Sequence, residues 1–149
     1  MHRPNAFFRT AVAAGAAGGV AEMLWVAAYS GATQASGVAI ARGVAASVVP
    51  ESAHLAAAPL IGVAIHMLLS IALGLVLAKL LLAYVLPRFG AAALMPAALG
   101  VLAAIWAANF FVVLPLLHAP FVALMPLAAT LASKLLFGAA LAWVLRPAA

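Results

Sequence analysis

The sequence contains no cysteine and little charge: 6% of its 149 residues are charged, and only two are acidic. The absence of cysteine excludes disulfides, thiolate metal ligands and cysteine nucleophiles. Soluble domains carry about 25% charged and about 45–50% apolar residues. This chain is 70% hydrophobic, with a mean hydropathy of +1.30. Such a composition cannot cover a water-facing surface, so it predicts an integral membrane protein.

Long apolar runs take the place of charge. Four runs have the roughly 20 residues that a helix needs to cross about 30 Å of hydrocarbon; they are 11–29, 59–86, 96–117 and 126–145. The first run exceeds the apolar core of about 7–15 residues typical of a secretory signal, which favours a span over a cleaved leader. We predict an all-α fold, an antiparallel bundle of four transmembrane helices, as a single domain over residues 1–149.

The segment between the first two runs is apolar but too short to cross a membrane, and it contains Arg42. Val38, Ala41, Ala45 and Val48 fall on one helical face. This spacing predicts a short helix lying along the membrane interface. An ordered loop is the alternative.

Lysine and arginine favour the cytoplasmic side of a membrane. Arg3, Arg9, Arg88 and Arg146 all lie on one side of the predicted bundle, whereas the loops on the other side hold only Arg42. We therefore expect both termini in the cytoplasm. These basic residues stand at the ends of apolar runs rather than in a patch, so nucleic acid is not an expected partner.

Two opposite charges lie deep inside the predicted spans. Glu22 is about 20 Å from Arg9 along its helix, and Lys134 is about 18 Å from Arg146. A charge at the bilayer centre costs about 2.5–3.5 kcal/mol even on lenient scales, and a lysine at this depth cannot extend to water. Equal depth on two helices predicts that Glu22 and Lys134 pair. A structural joint is favoured over a proton or ion relay.

Small residues accompany this pair on both helices. Gly15 and Gly19 share the face of Glu22 and form a GxxxG step, which permits close helix approach. Thr130, Lys134 and Gly138 repeat every four residues in the fourth span. We expect these two stripes to contact each other.

The second span has a similar stripe, formed by Gly62, His66, Ser70 and Gly74. His66 and Asn109 of the third span lie about 10–12 Å inside the outer ends of their helices. They are expected to hydrogen-bond across the outer half of the bundle. A packing role for His66 is favoured over that of a ligand or proton carrier.

Catalytic and cofactor signatures are missing. A haem held by two histidines needs both in the membrane at one depth, and only His66 qualifies. A metal site would have to collect His54, His66 and His118 from separate segments without cysteine or aspartate. No nucleophile–histidine–acid set, P-loop or dinucleotide fingerprint is present. We expect a non-enzyme with no cofactor and no metal.

Several stretches together resemble a group of small bacterial inner-membrane proteins of the YagU-like kind. They are the Gly-rich first span and the phrases "GVAIHMLLSIALG", "ALGVLAAIWAANFFVVLPLL" and "LASKLLFGAALAWVL". Some proteins of that kind look as if they carry a histidine where Ser133 or Lys134 stands here. The resemblance implies a four-helix protein of the bacterial inner membrane and carries no activity with it.

The expected role follows from these features. We predict a structural or accessory subunit, or a homo-oligomer, whose partners are the lipid bilayer and another membrane protein or a second copy. The alternative is a small transporter or channel-like protein for protons, ions or a solute, using Glu22, Lys134 and His66.

Overall fold

The computed structural model describes residues 4–146, so Arg3 lies outside the described residues. Within that range the chain is helical with short turns and no strand. The helices are α1 (Pro4–Ala32), α2 (Gly37–Val48), α3 (Ala58–Phe89), α4 (Ala91–Val122) and α5 (Leu127–Leu145). All but α2 are long and apolar enough to cross a membrane, which fits a membrane protein.

The helices α3 and α4 run past the predicted span ends at residues 86 and 117. Each contains a π-helical turn, Leu81–Val85 in α3 and Asn109–Val113 in α4. Each of these turns ends two residues before a proline, Pro87 or Pro115. A proline ring clashes with the carbonyl four residues earlier, and the wider turn moves that carbonyl aside. The helices therefore continue through these prolines.

Helix α1 packs between α3 and α5, and α5 also packs against α4. The contacts run in opposite order along neighbouring helices. Gly15 lies against Gly74 of α3, and Gly19, one turn further along α1, lies against Ser70. These close approaches are made by small residues, as expected for helices without bulky side chains at the crossing.

The expected contact of Gly15 and Gly19 with the fourth span is wrong. A Cβ atom on Gly15 would lie 2.6 Å from the carbonyl oxygen of Ser70, so this face of α1 belongs to α3. Gly18 contacts α5 instead, where a Cβ atom would lie 2.8 Å from the ring of Phe137. Adjacent residues differ by about 100° around a helix, so Gly18 and Gly19 serve two different neighbours.

One end of the bundle holds the main core. It includes Ala11, Leu81, Leu94 and Leu145, which come from the four long helices. Three arginines stand near these residues in the chain, and we call this end the basic end: Arg9, Arg88 and Arg146. Further core side chains continue inward from it: Leu77, Leu102, Phe137 and Leu141.

Helix α2 covers the opposite end. It packs against the beginning of α3 and the last part of α4. Gly62 lies directly against the backbone of Ala41, and Gly43 against the ring of Phe121. Of the four residues predicted to share a face of α2, Val38 and Val48 are exposed and Ala45 is buried, together with Ile40 and Gly43.

Candidate functional site

The charged pair lies where α1 meets α5. Nζ of Lys134 is 2.7 Å from Oε1 of Glu22, the pairing expected from their equal depth. Ser133 donates its hydroxyl hydrogen to the same oxygen over 3.3 Å. Glu22 is only 4% exposed, and Nζ of Lys134 also lies 5.5 Å from the ring centre of Phe137. The two opposite charges thus neutralise each other inside the bundle, and the aromatic face adds a further favourable contact for the ammonium.

His66 lies beside this pair. Its Nε2 is 3.1 Å from the carbonyl oxygen of Gly19 and 3.9 Å from Oε2 of Glu22. Because a carbonyl only accepts, Nε2 carries the hydrogen and donates to Gly19. Oε2 of Glu22 is buried and has no hydrogen-bond partner within the described residues. Oε1 of the carboxylate therefore has two polar partners, Lys134 and Ser133, while Oε2 accepts no hydrogen bond from the described residues.

The expected hydrogen bond between His66 and Asn109 is wrong. His66 bonds to α1, because in this half of the bundle α3 packs against α1 and α2. Asn109 lies on α4, in its π-helical turn, and lines the cavity described below together with His66. The two side chains face one space without bonding to each other.

Two tryptophans anchor the beginning of α5. Trp106 donates its indole hydrogen to the hydroxyl of Thr130 over 2.9 Å, and Thr130 in turn donates to the carbonyl of Leu127. Trp25 donates to the carbonyl of Ala129 over 2.9 Å. These contacts were not predicted from the sequence, although an indole N–H buried in a membrane protein needs an acceptor.

The stripe of the fourth span divides between two neighbours, contrary to the expectation that it faces α1. Lys134 meets α1, but Thr130 bonds to Trp106 of α4. Gly138 also faces α4, where a Cβ atom would lie 2.9 Å from Leu102. Residues four apart differ by about 40° around a helix, so a stripe of three residues spreads over two contacts.

A cavity of about 590 Å³ begins at the polar cluster. Eight lining side chains carry nitrogen or oxygen. Ser47 belongs to α2, and we define the polar cluster as the other seven: Glu22, His66, Ser70, Asn109, Thr130, Ser133 and Lys134. Most of the remaining wall is apolar, and α2 supplies part of it with Ile40 and Val44. A site of this size and lining is typical of one that holds a small molecule.

The cavity meets the outer surface between α3 and α4. Val63 and Leu69 of α3 line it and are also exposed, as are Val113 and Leu117 of α4. These two helices contact each other chiefly near the basic end, where the π-helical turn Leu81–Val85 of α3 packs against α4. Toward the other end α2 lies against both of them. We call the opening between these four exposed residues the lateral mouth.

The cluster is separated from the basic end by packed apolar side chains. Lys134 lies about 18 Å along α5 from Arg146. The intervening core includes Phe137 and Leu141 of α5 with Leu77 and Leu102 of its neighbours, all 0–2% exposed. Among the charged and histidine residues of 4–146, only Glu22 is buried, and it belongs to the polar cluster. The cavity is therefore closed toward the basic end.

Known proteins add no assignment. Comparisons with protein families, with curated proteins and with solved structures found no match to this chain. Among residues 4–146, no three His, Cys, Asp or Glu side chains come together in a way that could hold a metal ion. The chemistry of the site thus rests on the ion pair, its hydrogen bonds and the cavity.

Proposed function

We propose that this chain is a structural or accessory subunit of a bacterial inner membrane, acting with a membrane-protein partner or as a homo-oligomer. In this proposal the four long helices form an antiparallel transmembrane bundle with both termini in the cytoplasm. The YagU-like resemblance supports the same location. The chain carries out no catalysis, and the contact of Glu22 with Lys134 is a joint between α1 and α5.

The 2.7 Å ion pair carries this proposal. Each charge has its opposite on the neighbouring helix, and Ser133 adds a bond to the carboxylate. Breaking a buried pair from one side leaves an uncompensated charge and costs about 3–5 kcal/mol, whereas replacing both partners with apolar residues is often neutral. A joint of this kind thus specifies which helices pair. Among the described residues, the core between the joint and the basic end holds apolar side chains and no chain of titratable groups for a relay.

Transport of a proton, ion or solute is the second candidate, and the cavity at Glu22 and His66 is the observation that favours it. Such a path has to extend to the basic end, so the core around Phe137 and Leu141 would have to open during each cycle. The joint requires no such movement. We therefore place transport second.

A set of variants separates the two functions. As a joint, Glu22→Gln or Lys134→Met alone lowers the melting temperature in mild detergent, because one charge is stranded. The double variant Glu22→Leu with Lys134→Met recovers much of the loss, and so does the exchange Glu22→Lys with Lys134→Glu. Additive losses in the double variant would contradict the joint.

Flux measurements complete the test. The parent and the stable double variant are placed in proteoliposomes with a pH gradient and a pH-sensitive dye. We expect no flux above that of empty vesicles from either protein. A flux in the parent that disappears in the double variant would favour the transporter instead.

A further inference from the structure

The cavity is larger than the joint between α1 and α5 requires. We propose that it binds a neutral, lipid-like molecule that enters from the bilayer through the lateral mouth and places an oxygen-bearing head, a hydroxyl or carbonyl, against Lys134. This inference rests on the proposed membrane location and goes beyond the structural role. Three observations carry it: the unfilled bonding capacity of the cluster, its charge balance, and the chemistry of the mouth.

The polar cluster has hydrogen-bonding capacity left over. A lysine ammonium has three donors, and within residues 4–146 that of Lys134 bonds to one oxygen atom, Oε1 of Glu22. Its side chain is 21% exposed and lines the cavity. Ammonium donors left unfilled beside an apolar cavity are costly unless a ligand or water accepts bonds from them.

The charge balance selects a neutral head. Glu22 and Lys134 cancel each other at 2.7 Å. An anionic head would lie close to the carboxylate of Glu22 and be repelled by it. A cationic head would in the same way be repelled by the ammonium of Lys134. In a low-dielectric interior either arrangement leaves one unbalanced charge, which is strongly unfavourable. A hydroxyl or carbonyl accepts a bond from Lys134 without adding charge.

The mouth selects an apolar body. Its exposed side chains, Val63, Leu69, Val113 and Leu117, are all aliphatic. They lie on helices that are long and apolar enough to cross a membrane, so the mouth faces hydrocarbon in the proposed orientation. An amphiphile diffusing in the bilayer reaches the cluster without crossing an aqueous boundary.

The volume is that of a small-molecule site. The cavity of about 590 Å³ falls within the range of about 300–1,000 Å³ typical of such sites.

Photolabelling of the full chain in mild detergent tests the proposal. The probes are hexadecanol, hexadecanoic acid and hexadecylamine, each carrying the same diazirine on its chain, and labelled peptides are located by mass spectrometry. We expect the alcohol to label residues 62–73 and 109–117 more strongly than the acid or the amine does. An excess of plain hexadecanol should remove that labelling. Stronger labelling by the acid or the amine, or labelling that does not compete, would overturn the proposal.

Matched variants locate the entry. Leu69→Trp fills the mouth, whereas Leu68→Trp places the same ring on the neighbouring exposed position that does not line the cavity. We expect Leu69→Trp to reduce alcohol labelling about tenfold, a change equivalent to 1.4 kcal/mol, and Leu68→Trp to leave it unchanged. Equal labelling of both variants would refute entry at the mouth. Crosslinks between two chains in place of lipid labelling would assign the cavity to a homo-oligomer.

The head contact has its own test. The double variant Glu22→Leu with Lys134→Met keeps the cavity but removes its charged donor, so the preference for alcohol over acid and amine should disappear. Retained preference would show that Lys134 does not bind the head. This readout is independent of the melting temperatures that test the joint. If the double variant does not fold, the joint fails while the comparison of Leu69→Trp with Leu68→Trp still decides the cavity.

Discussion

Gly15 of α1 and Gly74 of α3 contact each other backbone to backbone. A Cβ atom added to Gly74 would collide with the main chain of Gly15, and one added to Gly15 would lie 3.1 Å from Cα of Gly74 and closer still to Ile71. No other residue type permits this separation of the two helices. The crossing positions α3, and through Gly19 it brings His66 beside Glu22.

Substitution at this crossing should therefore destabilise the bundle. We expect Gly15→Ala to lower the free energy of unfolding by about 1–3 kcal/mol, because the added methyl group meets the backbone of Ser70 and Ile71. Gly100→Ala is the matched control, since a Cβ atom there has no neighbour within 4 Å. It should stabilise slightly through helix propensity. Melting temperatures in mild detergent give the comparison, and a Gly15→Ala protein as stable as the parent would contradict the close crossing.

The turn between α3 and α4 depends on Gly90 for a different reason. Its backbone has φ 75° and ψ 178°, a conformation essentially restricted to glycine. We expect Gly90→Ala to lower the free energy of unfolding by about 1–3 kcal/mol because of this backbone conformation, even though a Cβ atom on Gly90 would have no neighbour within 4 Å. Gly31→Ala also has open space but lies within helix α1, so it should be neutral or slightly stabilising. The same melting experiment tests both, and an unchanged Gly90→Ala would show that the turn adapts.

Arg42 forms two hydrogen bonds to the segment that follows α2, residues 50–57. Its Nη1 donates to the carbonyl oxygens of Ala53 at 2.7 Å and Leu55 at 3.0 Å. Arg42→Met keeps the aliphatic stem and removes both bonds, so residues 50–57 should exchange their amide hydrogens faster. Bonds from a charged donor contribute about 1.5–3 kcal/mol each, which corresponds to roughly tenfold or more in local opening. Hydrogen-exchange mass spectrometry measures this.

A matched basic variant gives the control for that experiment. Arg42→Lys keeps the charge and one donor group, so its exchange should lie between that of the parent and Arg42→Met. Unchanged exchange over residues 50–57 in Arg42→Met would mean that the two carbonyl bonds do not hold the segment.

The orientation proposed from the arginines is tested by reporter fusions. A fusion after Ala149 should report the cytoplasm, and one inserted within residues 51–57 should report the opposite side, because the basic end is expected to stay inside. Removing positive charge from the basic end should weaken its preference for the cytoplasmic side, so Arg88→Gln with Arg146→Gln is the informative variant. A periplasmic signal from the C-terminal fusion of the parent would reverse the orientation.

Much of the architecture could be predicted from residue order alone. Four apolar runs define four long helices, since a chain with 6% charge has few other ways to satisfy its backbone. The contact of Glu22 with Lys134 could also be predicted, because these two opposite charges lie at equal depth in the predicted spans. The existence of α2 followed from the spacing of its aliphatic residues.

The partners of uncharged residues were decided only by the tertiary structure. Gly15, Gly18 and Gly19 lie within about 100° of one another around α1, so their spacing alone does not assign each of them to α3 or α5. Neutral polar residues such as His66 and Asn109 can pair with varied partners, and the packing of α3 against α1 selected the Gly19 carbonyl for His66.

The cavity depended on the tertiary structure most of all. It exists because α3 and α4 touch chiefly at the basic end while α2 spans them at the other. Apolar residues pack equally well against many partners, since the hydrophobic effect and dispersion carry no direction. Charge and length therefore determined the helices and the pairing of Glu22 with Lys134, and the shape of the assembled side chains determined where space was left beside it.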